Sequence, residues 1–189
     1  MRSDPTPRPA GADVPTLSTA RFTLRRLRRD DAAALLPTLG DDAQCLYLSR
    51  GKFGSEEELW GWLADPSWPG LTWIAVDGAG EVVGRIVAVP QDEGGVFEIG
   101  YITCADRQGE GIASECTRAM LSYLFHDRGA RLATAEVDAE NLASIRILER
   151  LGFRREALRP AFEVTHKGVC DVAFYALDKD AYSAGPHSE

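Results

Sequence analysis

An α/β fold with one mixed central sheet flanked by helices is what this chain predicts, and two observations carry the prediction. Strand-like and helix-like segments alternate along most of its length in the order β-α-α-β-β-β-α-β-α-β-β. Near the middle, a strand rich in β-branched and aromatic residues (96–103) runs into a glycine turn. A helix follows at once, with Ile112, Cys116, Met120 and Leu124 recurring every fourth residue.

The elements follow in order. Residues 21–27 alternate well enough for a first strand. Asp30 or Asp31 offers an N-cap for a helix toward Leu39, which Pro37 shortens or kinks. Ser55 followed by Glu58 is a capping box that opens a second helix through Leu59, Trp60 and Leu63, and Asp65-Pro66 stops it. Strands at 72–76 and 81–89 are joined by Asp77-Gly78-Ala79-Gly80, a hairpin signal. After the glycine turn and its helix comes a strand over 131–137. A helix over 141–151 ends on Gly152, suited to a left-handed cap, with Phe153 packing back on Leu148. Strands over 162–165 and 172–177 are separated by Lys167-Gly168.

Size and charge narrow the class. With 189 residues and 44% hydrophobic content, the chain is long enough for one substantial domain. A formal net charge of -8 argues against a general nucleic-acid binder and suits a cationic substrate. No apolar run reaches a membrane span and no signal-peptide core is visible, so a cytoplasmic protein is expected. Cys45, Cys104, Cys116 and Cys170 form no C-x-x-C pair and have no His at ligand spacing, which reads as packed thiols with no metal site. By composition, residues 1–15 and 183–189 read as flexible tails around a domain over 16–182.

The turn Gln108-Gly109-Glu110-Gly111-Ile112-Ala113 joins a strand to a helix start. There the first helical N–H groups lack partners and carry the positive end of the helix dipole. Glycine removes the side chains that would keep a phosphate away. A Walker loop fails because no Lys follows Gly111. A dinucleotide fingerprint fits poorly: Ser114 stands in its third glycine place, and Glu136 and Asp138 lie too far downstream for its ribose acid.

The pattern Gln108-x-x-Gly111-x-Ala113 resembles the pyrophosphate loop of the GNAT superfamily of N-acetyltransferases. Other segments resemble the ribosomal-protein-alanine N-acetyltransferase-like branch of that superfamily: 19–26 with Asp30-Asp31-Ala32, Glu98-Ile99-Gly100-Tyr101, Asn141-Leu142-Ala143-Ser144, 149–153 and 168–177. The likeness spans about residues 17–177. It implies a single GNAT-type domain whose mixed sheet holds two splayed parallel strands, here 97–103 and 132–137, with acetyl-CoA in the opening.

By that resemblance, backbone groups near Ile102, Thr103 and Cys104 pair with the pantetheine arm. The amides of Gly109, Glu110, Gly111, Ile112, Ala113 and Ser114, beside Gln108, hold the pyrophosphate. Asn141 caps its helix and, as implied by the family, also bonds the pantetheine. By the same resemblance Ser144 faces that opening, its hydroxyl placed to hydrogen-bond the CoA sulfur and stabilise the departing thiolate, a job done by Tyr in many relatives; its plainer reading is a hydroxyl bonded back to its own helix turn.

A base is needed because only the free amine attacks a thioester. Glu98 on the central strand and Glu163 on the strand facing the expected acceptor groove are the candidates; a water chain is the third route. His126 and His166 lack the partners a base requires. Trp60 and Trp62, two apart, cannot share one helix face, which leaves two readings open: core and lid packing, or one of them exposed or lining an acceptor groove.

These residues point to an acetyl-CoA-dependent N-acetyltransferase acting on a primary amine, a protein N-terminus or a small molecule, by direct attack. The rival is a non-catalytic CoA-binding regulatory or interaction module. A longer acyl group in place of acetyl is a third option. The final hairpin is free either to pair with a second copy, giving a homodimer, or to cap its own sheet.

Overall fold

The computed structural model describes residues 14–184 apart from Glu93. The other positions of the two expected tails lie outside the described residues. Val14 is buried, and Pro15 accepts a hydrogen bond from Trp73 Nε1 at 2.9 Å, so ordered structure starts before the expected boundary at 16.

Eight strands form one mixed sheet in the order β1-β2-β3-β4-β5-β6-β8-β7. They are β1 (Leu17–Ser18), β2 (Thr23–Arg25), β3 (Leu71–Val76), β4 (Val82–Pro90), β5 (Val96–Thr103), β6 (Leu132–Asp138), β7 (Arg154–Thr165) and β8 (Gly168–Asp178). All neighbours pair antiparallel except β5 and β6. Helices α1 (Asp31–Leu39) and α2 (Glu56–Leu63) cover one face of the early strands, burying Leu35, Leu39, Leu59 and Leu63 against Ile74 and Val76. Helix α3 (Ile112–His126) and α4 (Leu142–Arg150) cover the other face, where Met120, Leu124 and Leu148 meet Phe97, Ile99, Ala135 and Tyr175. Because strand side chains alternate, Glu98 and Glu136 point to the face that α3 and α4 do not cover.

The caps form largely as their residues demand. Ser55 Oγ accepts from Glu58 N at 3.2 Å, while the Glu58 carboxylate accepts from Gly54 N rather than closing back on Ser55. Gly152, at φ +92°, completes a Schellman ending: Phe153 N donates to Leu148 O at 3.0 Å and Gly152 N to Glu149 O at 3.1 Å. The start of α1 differs from expectation. Asp30 makes no side-chain cap bond, and the Asp31 carboxylate turns back to accept from Arg28 N and both terminal nitrogens of Arg25.

Three other elements differ. The first strand is a short β1–β2 hairpin, because Thr19 Oγ1 accepts from the amides of Arg21 and Phe22 and turns the chain there. Strand β7 begins at Arg154, not 162; it is an edge strand, mostly exposed, so it shows little apolar alternation for sequence to reveal. Its register shifts between Arg159 and Glu163, around Pro160 and Ala161, the latter at φ +49°. Helix α5 (Lys179–Ala184) takes Ser183 and Ala184, expected in the tail, and buries Tyr182.

Candidate active site

Strands β5 and β6 are hydrogen-bonded partners only at Val96–Leu132, Phe97–Ala133 and Glu98–Thr134. Beyond that register β5 stays paired with β4 up to Thr103, and β6 stays paired with β8 up to Asp138, so the two strands diverge. The result is a V-shaped gap with polar backbone edges. Cys104 N donates to Val83 O at 3.0 Å, so the alternation of an antiparallel ladder also commits Ile102 to β4. The edge groups of Thr103 and Tyr101 therefore face the gap, while Cys104 and Ile102 spend their amides within the sheet.

At the wide end of the gap a 3-10 turn, Ala105–Arg107, leads into the glycine turn. Gly109 and Gly111 take φ +84° and +80°, values that L side chains rarely adopt, and Gly111 is the N-cap of α3. Among the described residues, none of the backbone N–H groups of Gln108 through Ser114 has a hydrogen-bond acceptor. Those donors, at the positive end of a 15-residue helix, fit a pyrophosphate.

The turn is braced from several sides. Arg21 donates from Nη2 to Glu110 O at 3.0 Å and pairs with Glu115. Arg107 grips both the Glu110 carboxylate and Asp77 of the β3–β4 hairpin. Gln108 Nε2 donates to Gln44 Oε1 at 2.7 Å, and Ala105 N to Thr38 Oγ1 at 2.9 Å. Side chains of Gln108 and Glu110 thus hold the turn in shape and leave its amides free.

On the α3–α4 side of the gap, Asn141 Oδ1 caps α4 by accepting from Ser144 N at 3.1 Å. The Ser144 hydroxyl has no partner among the described residues, and the Ser144 carbonyl accepts from Tyr101 OH at 3.1 Å. Tyr101 ties β5 to α4 across the gap, a contact that sequence reasoning missed. Burial pushes its hydroxyl up to about 12 against the opposing bond to Ser144, so it stays a donor at neutral pH.

On the opposite face lies a cavity of about 190 Å³ whose lining includes Glu98, Glu136, Glu163, Asp138, Tyr47 and Ser49. Glu98 and Glu163, far apart in sequence, meet there. Ser144, on α4, does not line that cavity. Glu136 was missed as a site residue; its signal was its place one side-chain alternation past Thr134, the residue opposite Glu98. Burial raises the Glu98 pKa, with Glu136 and Glu163 adding like-charge repulsion. Burial also raises that of Glu136, with Glu163 adding to it and Arg159 opposing.

Lys167, from the β7–β8 turn, pairs with Asp138 at 2.7 Å and Glu140 at 2.6 Å, and stands 4.9 Å from the Tyr47 ring centre, so it touches two of the lining residues. A cleft of about 300 Å³ elsewhere is lined by Leu132, Arg154 and Asp178 and by none of these residues.

Cys104 and Cys116 are poor nucleophiles. Burial pushes Cys104 up to about 11 and Cys116 to about 12, with nearby carboxylates adding to both. Among the described residues no group of three or more His, Cys, Asp or Glu could hold a metal ion. No helix of the described residues is long and apolar enough to cross a membrane.

The geometry is thus an open helix start with free amides, beside splayed parallel strands, with an acidic cavity on the other face. The family model described as acetyltransferase (GNAT) domain matches residues 21–154, and the chain belongs to that family. An uncharacterized N-acetyltransferase, p20, of Bacillus licheniformis is 29% identical over 175 residues, covering 89% of this chain and 98% of the relative. The uncharacterized protein YkkB of Bacillus subtilis is 34% identical over 143 residues, covering 72% and 83%.

Among solved structures, a GNAT-family acetyltransferase from Bacillus anthracis superposes with TM-score 0.81 at 23% identity, over 88% of this chain and 99% of that one. A spermidine N-acetyltransferase from Vibrio cholerae in complex with CoA and spermine has TM-score 0.75 at 19% identity, over 85% and 97%. The chain is therefore an acyltransferase of the GNAT N-acetyltransferase family, and the family's co-substrate is acetyl-CoA.

Proposed function

We propose that this protein transfers an acetyl group to a primary amine, of a small molecule or a protein N-terminus, by direct attack of the free amine, with Glu98 as general base. The observation that carries the reading is the register: pairing of β5 with β6 stops at Glu98, so this carboxylate sits where the two strands part, at the closed end of the gap, and lines the acidic cavity on the face that α3 and α4 leave uncovered. When bound, acetyl-CoA supplies an activated thioester. The amides of Gly109 to Ser114 would hold its pyrophosphate, and the gap-facing edge of Thr103, with the free side-chain NH₂ of Asn141, would receive its amide-bearing arm.

On the acceptor side, the half-buried Glu98, its proton affinity raised, is suited to take a proton from an incoming ammonium group. Glu136 and Glu163 add negative field that draws the cation in. On the donor side the free Ser144 hydroxyl is the candidate to hydrogen-bond the departing sulfur. The high-pKa thiols argue for one step with no acyl-enzyme.

Residues 19–26, 149–153 and 168–177 support placing the chain in the ribosomal-protein-acetylating branch. A cytoplasmic location and a transferase domain over 16–182 belong to the same reading. So does a homodimer through hairpin β7–β8, which supplies the sheet edge and exposes Leu158, Val164 and Val169.

The test is acetyl-CoA turnover across simple amines, diamines, amino acids and N-terminal peptides, including those of ribosomal proteins. Acetylated product identified by mass is expected from at least one class. Failure across the whole panel would sink the reading.

A further inference from the structure

The carboxylates that line the acidic cavity are treated differently at its two ends. Glu98, Glu136 and Glu163 have no ion-pair partner among the described residues. Asp138 has one: its carboxylate accepts from Lys167 Nζ at 2.7 Å and from Glu140 N at 2.9 Å. The same ammonium meets the exposed Glu140 carboxylate at 2.6 Å and lies 4.9 Å from the Tyr47 ring centre. Two carboxylates and an aromatic face around one ammonium make a site for an organic cation, and here the chain's own lysine fills it. The Lys167 and Asp138 side chains are only 15% and 10% exposed, so solvent screens the pair less than a surface one.

Charge states sharpen the contrast. Hydrogen bonds to Asp138 and then to Glu140 hold the Lys167 proton more tightly than in an ordinary lysine, which keeps it an ammonium. Burial acts to raise the Asp138 pKa, but the bonds from Lys167 and from Glu140 N outweigh it and hold the group below the usual carboxylate value. Glu98 and Glu136 are raised instead, for want of a cation.

Register measures how far apart the two ends lie. Thr134 stands opposite Glu98, and Asp138 is four residues further along β6 on the same face. Four residues of strand rise about 13 Å, and β5 stands one strand spacing, about 5 Å, to the side. Glu98, Asp138 and Tyr47 all line the one cavity, so a long acceptor with its amine at Glu98 extends toward Lys167. There the α1–α2 loop, which carries Tyr47, meets the β7–β8 turn, which carries Lys167: a methyl group added at Gly51 would stand 3.6 Å from the His166 ring.

We propose that Lys167 is a specificity-determining residue: it fills a cation subsite made by Asp138, Glu140 and the Tyr47 ring, and so closes the far end of the acceptor cavity to a second ammonium. The preferred acceptor carries one cationic amine, taken at Glu98, and a neutral remainder. The inference rests on the acetyl-transfer reading above. A diamine long enough to span the cavity sets its second ammonium against that of Lys167, while a short one does not reach it. Removing the lysine charge empties the subsite and leaves two carboxylates uncompensated, which turns repulsion into attraction.

The test compares kcat/KM for 1,8-diaminooctane with that for 8-aminooctanol, equal in length and different in one terminal charge. The short pair, 1,4-diaminobutane and 4-aminobutanol, serves as the control for reach. In the wild type the long diamine, corrected for its two equivalent amines, is expected to be no better than its amino alcohol. In Lys167→Met the long ratio should rise at least tenfold while the short ratio moves little. Lys167→Arg, which keeps the charge, should behave as the wild type. Adding Asp138→Asn to Lys167→Met should give back most of the gain.

Thermal unfolding of each variant separates a loosened turn from an altered preference. Calorimetric titration of 1,8-diaminooctane into the wild type and Lys167→Met, without acetyl-CoA, reads the subsite with no turnover involved. At least tenfold tighter binding to the variant supports it even where no amine is acetylated, an outcome in which only the transfer reading fails. A folded Lys167→Met whose long ratio and diamine affinity both match the wild type would overturn the proposal. So would a wild type that prefers the long diamine tenfold.

Discussion

Glu98 shows how one residue takes its chemistry from its neighbours. An ordinary glutamic acid titrates near 4.5; here burial raises the value, and Glu136 and then Glu163 raise it further. The folded protein therefore holds this proton more tightly than the unfolded chain. Stability linked to Glu98 is full at low pH and is lost as pH rises from about 4.5 through the raised value. The proposed base is active only as carboxylate, so activity runs the other way and climbs across that same window. Glu136→Gln removes one like charge and should move the acid limb of the kcat/KM profile to lower pH, with Glu163→Gln shifting it less. An acid limb that stays put in both variants would rule out Glu98 as the group titrating. Sequence marked Glu98 and Glu163 because they sit on predicted strands, but Glu136 carried no local signal. Its membership depends on which strand lies beside β5.

Among the elements, the strand–turn–helix unit around Gly109 and Gly111 was the most legible, because its demands are local. A left-handed backbone needs glycine and an open helix start needs small residues, and both are written in consecutive positions. Gly111→Ala would force a side chain into φ +80°, with the new methyl about 3.5 Å from Arg21 Nη2. The strain costs about 1–2 kcal/mol, and relieving it would turn the amides away from the phosphate. The expected outcome is a CoA dissociation constant raised at least tenfold, measured by calorimetry, with the acid limb of the pH profile unmoved. The Schellman ending of α4 was legible for the same reason. The β1–β2 hairpin and the long edge strand β7 were not: one turns on Thr19 hydrogen bonds, and the other lies mostly exposed, so apolar periodicity does not mark it.

For the molecule as a whole, the gap is both the site and a weakness in the sheet. Five residues of β5, Ile99–Thr103, lose their β6 neighbours while helices α1, α2, α3 and α4 pack on either side. A ligand that fills the gap and occupies the cradle should tie these layers together. At a hundred times its dissociation constant, CoA would stabilise the fold by about 2.7 kcal/mol. For a domain of this size that is an upward shift in Tm of about 5–10 °C. Differential scanning calorimetry with CoA tests it; the corresponding gain should be largely absent in Gly111→Ala. No shift in the wild type at saturating CoA would contradict the assigned cradle.

The chain by itself determined the α/β class, most caps and turns, and the glycine turn that opens α3, because each depends on hydrogen bonds and dihedral angles within a few consecutive residues. Tertiary structure alone decided where the β5–β6 pairing ends, that Glu136 joins Glu98 and Glu163, that Tyr101 reaches Ser144, and that Lys167 meets Asp138 and Tyr47. Those facts rest on register and burial among strands tens of residues apart, and no local pattern encodes them.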